Sequence, residues 1–313
     1  MSAPISGDAR PDATDDPDPD DLDLPPGRLE MGMAARGDVR WIAVDLSGPV
    51  QEARARLDLS PVASAALGRG LAAAAMLLRL TEKTPVRVIL EIKGDGPIRQ
   101  VVAEAGADGS LRGSVGNPRV AVPDLASSKL AVGEAVGEGV LRIWRDYERG
   151  RPYYSQVELV SGEIALDVAH YLEQSQQVRS AVLLGVLARR DGVAAAGGLI
   201  GEVLPGADEE SVARLESNIA ASGGVSRVVE QASLDGVKEL LLAGLEPVLH
   251  EERELRYHCR CDRERLRRLL GTLAEEEDEP LHEEGRPVRI RCEFCGRSYS
   301  FDPSEIGPSA SVS

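Results

Sequence analysis

The chain has 313 residues, with 36 basic against 52 acidic side chains and a formal charge of −16. Such acidity argues against a nucleic-acid partner, because phosphate binding draws mainly on clustered Lys and Arg. The N-terminus lacks the charged-then-apolar pattern of a signal peptide, and the longest apolar run, Gly70 to Leu78, falls far short of the ~20 residues of a spanning helix. These features predict a soluble, cytoplasmic protein without a membrane partner. The length suits two or three compact domains. Apolar residues at 42% with aromatics at only 3% predict a core built from Ala, Val, Leu and Ile.

Residues 1–27 carry eight Asp and six Pro against a single Arg. They hold too little apolar surface to offset the entropy of ordering and are expected as a disordered acidic tail. Val39–Leu46 then alternates as a strand, with Val39, Trp41 and Ala43 on one side. Ser60-Pro61 reads as an N-cap with proline at the first helical position, opening an Ala/Leu-rich helix that ends before Pro85. Val86, Val88, Leu90 and Ile92 alternate next. Turns at Gly94–Pro97 and Gly106–Gly109 connect this strand to Ile98–Ala105 and Ser110–Gly116, which predicts a three-strand meander. Gly139–Tyr147 and Tyr153–Val160 predict a further hairpin. Ile164, Val168 and Leu172 mark one helix face, and Val178–Leu187 is a buried strand or a short helix. From Asp208 the pattern turns helical, with Val212, Leu215 and Ile219 on one face. A second helical stretch holds Leu234, Val237, Leu240, Leu241 and Leu245, and Pro247 closes it. The fold class is α+β, with an N-terminal sheet-and-helix domain, a helical linker and a small C-terminal four-cysteine zinc domain. Residues 307–313 are expected as a disordered tail.

All four cysteines fall in two close pairs, Cys259-Arg260-Cys261 and, thirty residues later, Cys292-Glu293-Phe294-Cys295. Two pairs flanking a short loop suit a tetrahedral zinc held by four thiolates at ~2.3 Å. Gly296 lets the second pair close as a knuckle. Asp262 can N-cap a helix whose Leu266, Leu269, Leu270 and Leu273 share a face. A module this small needs a metal, and a four-thiolate zinc contributes ~10–16 kcal/mol in peptide systems. Arg256, Arg260, Arg263, Arg291 and Arg297 lie near the cysteines in sequence and can offset the thiolate charge. Three roles compete: a purely structural zinc, a nucleic-acid zinc ribbon disfavoured by the acidity, and a redox-sensing zinc whose ligands oxidation removes. His258 reads as a bystander, since four cysteines fill the tetrahedron.

Enzyme signatures are missing. No lysine follows a glycine, so there is no phosphate-binding P-loop, and neither G-x-S-x-G nor H-E-x-x-H occurs. Gly94-Asp95-Gly96 reads as a hairpin turn rather than a phosphate cradle. His170, Ser175 and Asp167 suit helical spacing better than a triad.

With these motifs the chain resembles the thirty-three-kilodalton heat-shock protein family, the bacterial redox-regulated holdase chaperones. The resemblance rests on the cysteine spacing, Ile92 through Pro97, Leu111-Arg112-Gly113 with Asn117-Pro118, Tyr171 through Gln177, and Ala196 through Leu199 leading to Leu204-Pro205. It implies a chaperone core over residues 28–205, a metastable linker over 206–256 and a zinc-binding redox-switch domain over 257–306. It implies that Cys259, Cys261, Cys292 and Cys295 hold one Zn2+ in a reduced, monomeric, inactive state. Oxidation then forms the disulfides Cys259–Cys261 and Cys292–Cys295, releases zinc and unfolds the linker. The apolar surface so exposed holds unfolding client proteins without ATP, and the oxidised form is a homodimer. The family usually has an acidic residue where this chain has Gln176, and the acidic tail lies outside the resemblance. An alternative from another class is a thiol-disulfide oxidoreductase that uses Cys292 and Cys295, whose pair would typically open a helix after a strand.

Overall fold

A helix of small apolar residues, α1 of the core pair excepted, organises the packing: α1 (Ser47–Leu57) lies beside α2 (Pro61–Leu77), and α2 is buried from Val62 to Leu77. Ser60 caps α2 as its spacing predicts, its hydroxyl accepting from the Ala63 amide at 3.3 Å with Pro61 in the first turn. The computed structural model describes residues 22–81, 85–121, 130–177, 179–221, 234–276 and 286–306.

Around α2 runs a ten-stranded sheet of β1 (Gly27–Ala34), β2 (Val39–Asp45), β3 (Arg87–Gly94), β4 (Gln100–Gly106), β5 (Ser110–Val115), β6 (Gly139–Asp146), β7 (Tyr153–Glu158), β8 (Ser180–Ala188), β9 (Val193–Val203) and β10 (Val248–Tyr257). Their order is β7-β6-β3-β4-β5-β10-β1-β2-β9-β8. The meander β3-β4-β5 and the hairpin β6-β7 pair antiparallel as expected. A short helix, α3 (Val132–Val136), precedes β6, and α4 (Ala165–Gln176) packs against both β7 and β8. The sheet therefore curls about α2 until α4 bridges its two edges. Asp167, fully buried, accepts from the amides of Val160, Ser161, Gly162 and Ile164. It fixes the turn into α4, which gives the Asp167–His170–Ser175 set a structural origin.

The sheet's outer face differs between its halves. On β3, β4, β5 and β6 it is charged, with Arg112–Glu104 at 2.7 Å and Arg142–Glu91 at 3.1 Å. On β2 and β9 it is apolar and covered. There α5 (Glu209–Ala221) and α6 (Leu234–Leu241) set Leu215, Leu234, Val237 and Leu241 against Trp41, Ala43 and Leu199, with Leu242 and Leu245 beside them. Leu240 instead points outward, 38% exposed. Lys238 pins α6 to the sheet by pairing with Glu30 on β1, and Asp235 lies 3.0 Å from the same ammonium. Glu30 is only 3% exposed.

Four expectations need correction or completion. Val248–Tyr257, expected as the end of the helical linker up to Arg256 and the first residue of the zinc domain, is a strand in the middle of the sheet, held by a ladder to β1. Gly27, expected in the tail, opens β1 and is buried. The segment that began at Val178 is a strand from Ser180. The strands β1 and β9 and the helix α1 were not anticipated at all. Residues 1–21 of the acidic tail, Val178 and residues 307–313 lie outside the described residues.

The Lys238–Glu30 pair generates a prediction. Lys238→Met leaves a buried carboxylate with only Arg28, 3.2 Å away, as partner. It is expected to destabilise the docked helices by roughly 1.5–3 kcal/mol, read as faster hydrogen exchange across residues 234–245 with little change in α2.

Candidate metal centre

Beyond β10 the chain forms a small module of α7 (Arg263–Glu276), β11 (Val288–Arg291) and β12 (Ser298–Phe301). Asp262 caps α7 as expected, its carboxylate accepting from the Arg265 amide at 2.8 Å. The module's core is slight. Leu270, Phe301 and Ile306 are buried, with Leu266, Val288, Ile290 and Tyr299 partly so, while Leu269 and Leu273 are exposed. So few buried side chains leave the module dependent on something other than apolar burial.

That something is the cysteine cluster. The Sγ atoms of Cys259, Cys261, Cys292 and Cys295 all lie within 4.8 Å of one another. Cys261 and Cys295 are 3.3 Å apart and Cys259 and Cys292 3.6 Å, so the nearest measured neighbours run between the two sequence pairs. The second pair forms a knuckle between β11 and β12. The Gly296 amide donates to Cys292 O at 2.8 Å, and the Cys292 amide to Arg297 O at 2.9 Å. Gly296 sits at φ +73°, and any Cβ there would collide with the carbonyl oxygen of Arg56 at the end of α1. All four thiols are free, and Cys295 is buried. Four convergent thiols at this separation can hold one metal ion, and a soft, all-sulfur donor set with no open side suits a closed tetrahedral centre. His258 is exposed and stands apart from the cluster.

The cluster's charge is shared unequally. Thiol hydrogen bonds from Cys259 and Cys295 hold Cys292 below the usual thiol range. The bond to Cys292 pushes Cys259 up to about 11, and bonds to Cys259 and Cys292 push Cys295 up. The phenol of Tyr299 lies 3.2 Å from the Cys261 sulfur; burial, with that sulfur added, raises its pKa.

Residues far away in sequence complete the site. Arg112 on β5 stacks over Phe294 in the knuckle, 4.7 Å from the ring centroid. Burial works against its charge, but Glu104 and the Cys259 sulfur hold its pKa above normal. Tyr257, two residues before Cys259, donates from its hydroxyl to Gly113 O at 3.0 Å and also meets Phe294 O. Burial raises that phenol's pKa. Of the five arginines expected to offset thiolate charge, Arg260 instead binds Asp108 at 2.9 Å, Arg263 binds Glu305 at 2.9 Å, and Arg256 pairs with Glu254. Arg291 donates to Gly296 O at 3.1 Å. Arg297 interacts with Tyr299 beside the Cys261 sulfur, and Arg112 reaches Cys259, a neighbour that sequence proximity could not reveal.

Comparison with known proteins places this geometry. The family model described as Hsp33 protein matches residues 28–302. A 33 kDa chaperonin of Thermus thermophilus is 44% identical over 292 residues, covering 90% of this chain and 85% of that protein. One from Trichormus variabilis is 43% identical, covering 87% and 92%. The crystal structure of the 33 kDa chaperonin from Thermotoga maritima superposes with a TM-score of 0.81 at 36% identity, covering 89% of this chain and 96% of that one. Among the described residues no helix is long and apolar enough to cross a membrane.

Tyr257→Phe removes the hydroxyl shared by Gly113 O and Phe294 O while keeping the ring. It is expected to weaken docking of the module by roughly 1–2 kcal/mol, seen as faster hydrogen exchange in residues 286–306 of the reduced protein.

Proposed function

Because this chain belongs to the Hsp33 family, we propose that it is a redox-regulated, ATP-independent holdase that captures unfolding proteins under oxidative stress in the cytoplasm. The observation that carries the reading is the meeting of four thiols at the end of β10, the strand that continues from the α5–α6 covering. One Zn2+ held by Cys259, Cys261, Cys292 and Cys295 supplies the charge that keeps four thiolates together. Oxidation of each thiolate pair makes one sulfur–sulfur bond and gives up two electrons, which with two protons from solvent turn one peroxide into two waters. The pairing follows the family resemblance, Cys259 with Cys261 and Cys292 with Cys295. A disulfide sulfur is neutral and a poor ligand, so the oxidised side chains no longer retain the ion.

The remaining steps follow from packing. With three buried apolar side chains besides Cys295 among its described residues, the module has little to keep it folded without its crosslink. Its loss takes Phe294 O away from Tyr257 and frees the end of β10. The covering of α5 and α6 is then attached through Lys238, its apolar face and a few polar contacts at its ends, among them Ala35 N–H to Leu245 O and Asp208 N–H to the Asp38 carboxylate. Release of that covering uncovers Trp41, Ala43 and Leu199 on one side and Leu215, Leu234 and Leu241 on the other. At ~25 cal/mol per Å², such surface seeks other apolar partners, which are client proteins or a second oxidised copy. The oxidoreductase reading is less well supported, because Cys292 and Cys295 lie in a turn between two strands rather than at a helix start.

Reduced protein is expected to hold one zinc per chain. Peroxide with mild warming should release it, form the two disulfides within the sequence pairs, and raise suppression of client aggregation without ATP. Cys292→Ser should lose zinc retention in the reduced state. Client holding that is indifferent to peroxide, or catalytic turnover in an insulin-reduction assay, would contradict the reading.

A further inference from the structure

The strand β10 occupies the middle of the sheet yet is bound like an afterthought of it. Seven registered pairs join it to β1, from Gly27↔Leu255 to Met33↔Val248. Its other edge meets β5 only at Arg256↔Ser110 and Tyr257↔Leu111. Side-chain burial is confined to the same end. Leu255 and Tyr257 are buried, whereas Val248 and Leu249 are 56% and 49% exposed, and Glu252, Arg253 and Glu254 are exposed as well. Both ends of β10 therefore depend on elements that the proposed switch releases. Tyr257 leans on the cysteine knuckle through Phe294, and the chain just before β10 is held by Leu245, whose carbonyl accepts from the Ala35 amide.

What β10 covers is a different kind of strand. The edge of β1 holds Leu29, Met31 and Met33, and its only charged side chains are Arg28 and Glu30. Exposed strand edges are commonly guarded by charge, and here the guard is the partner: β10 carries Glu251, Glu252, Arg253, Glu254 and Arg256. Gly32 is open enough for the backbone of the paired strand to come very close, since any Cβ there would strike Val248 O. Methionine side chains adapt to varied neighbours without demanding one shape. A strand ladder recognises backbone amides and carbonyls, which every polypeptide offers.

We infer that the edge of β1, uncovered when β10 leaves the sheet, docks an extended segment of an unfolded polypeptide, which pairs antiparallel in the place of β10. The inference rests on the chaperone reading above. β10 is the template for the occupant: a ten-residue strand joined to β1 by a backbone ladder with one bulge, its side chains mostly exposed apart from Glu251, Leu255 and Tyr257. In the reduced protein it is also the competitor, so the docking edge is closed by the same chain that ends in Cys259. Apolar surface on the sheet and the hydrogen-bonding edge of β1 then act on one client together, the first by burial and the second by pairing.

The test uses the full chain, reduced and peroxide-oxidised, with a carboxymethylated, permanently unfolded protein as probe. Amide exchange is read across residues 27–34. Oxidation alone should speed the exchange of part of the β1 amides by at least ~10-fold, and bound probe should restore their protection. A synthetic peptide of residues 248–257 should compete with the probe for oxidised protein, and the same peptide N-methylated at alternate amides should fail. The inference is overturned if residues 27–34 keep their reduced-state protection while probe is held, or if the N-methylated peptide competes equally. Protection that returns in oxidised protein alone as its concentration rises, and does not respond to probe, would assign the edge to a second copy instead. If oxidised protein holds no probe at all, it is the chaperone reading that fails.

Discussion

Tyr257 ends β10 with its ring buried and its hydroxyl placed between Gly113 O on β5 and Phe294 O in the cysteine knuckle. That phenol belongs at once to the sheet, to the end of the linker and to the metal module. A buried hydroxyl needs partners, and here the two carbonyls supply them. The joint is therefore stable only while the knuckle keeps its shape. The knuckle in turn keeps its shape only while four sulfurs stay together, because its own core is so small. In the proposed switch, this chain of contacts is what would carry a change at sulfur to the end of β10.

The two bodies joined there differ in what holds them. Around α2 the apolar cluster runs from Leu29 to Tyr257 and includes residues from strands in both halves of the sheet. The module contributes no side chain to that cluster, whose last members, Leu255 and Tyr257, lie on β10. The module has no comparable reserve, so the metal-dependent part can unfold while the α2 core persists. The covering of α5 and α6 lies between these extremes. It buries a real face but is secured by Lys238 and Glu30, an ion pair whose lysine remains partly exposed. Stability graded in this way allows partial unfolding without loss of the whole fold.

Much of this was legible in the sequence where the signal is local. The cysteine spacing reports ligands that must converge, and the structure brings all four together. Ser60-Pro61, the glycine turns of β3-β4-β5 and the Asp262 cap are likewise short-range chemistry. β10 was not legible, because its exposed positions carry charges on both faces and only Leu255 and Tyr257 face a core. β1 and β9 hide for the opposite reason: Gly27, Gly32, Gly197, Gly198 and Gly201 break the alternation that marks a strand. Arg112 could not be assigned to the site at all, since it reaches Phe294 and Cys259 across a fold that the sequence does not display.

The net charge of the chain bears on where the cysteines can sit. In the proposed zinc-bound state, four thiolates in a protein of charge −16 would face repulsion on most of the surface, and desolvating them would add to that cost. They lie instead beside the charged face of the β5 half of the sheet, where Arg112 is already fixed by Glu104 and its guanidinium stacks on Phe294. Arg260 and Arg263 pair with carboxylates, so Arg260 serves as a tether to Asp108 rather than as a counter-charge. Docking the module on this face thus does two jobs with one contact. It gives the thiolate cluster a fixed positive neighbour, and it clamps Tyr257 against Gly113. In the proposed oxidation, neutral disulfides would remove the first reason for docking together with the shape that provides the second.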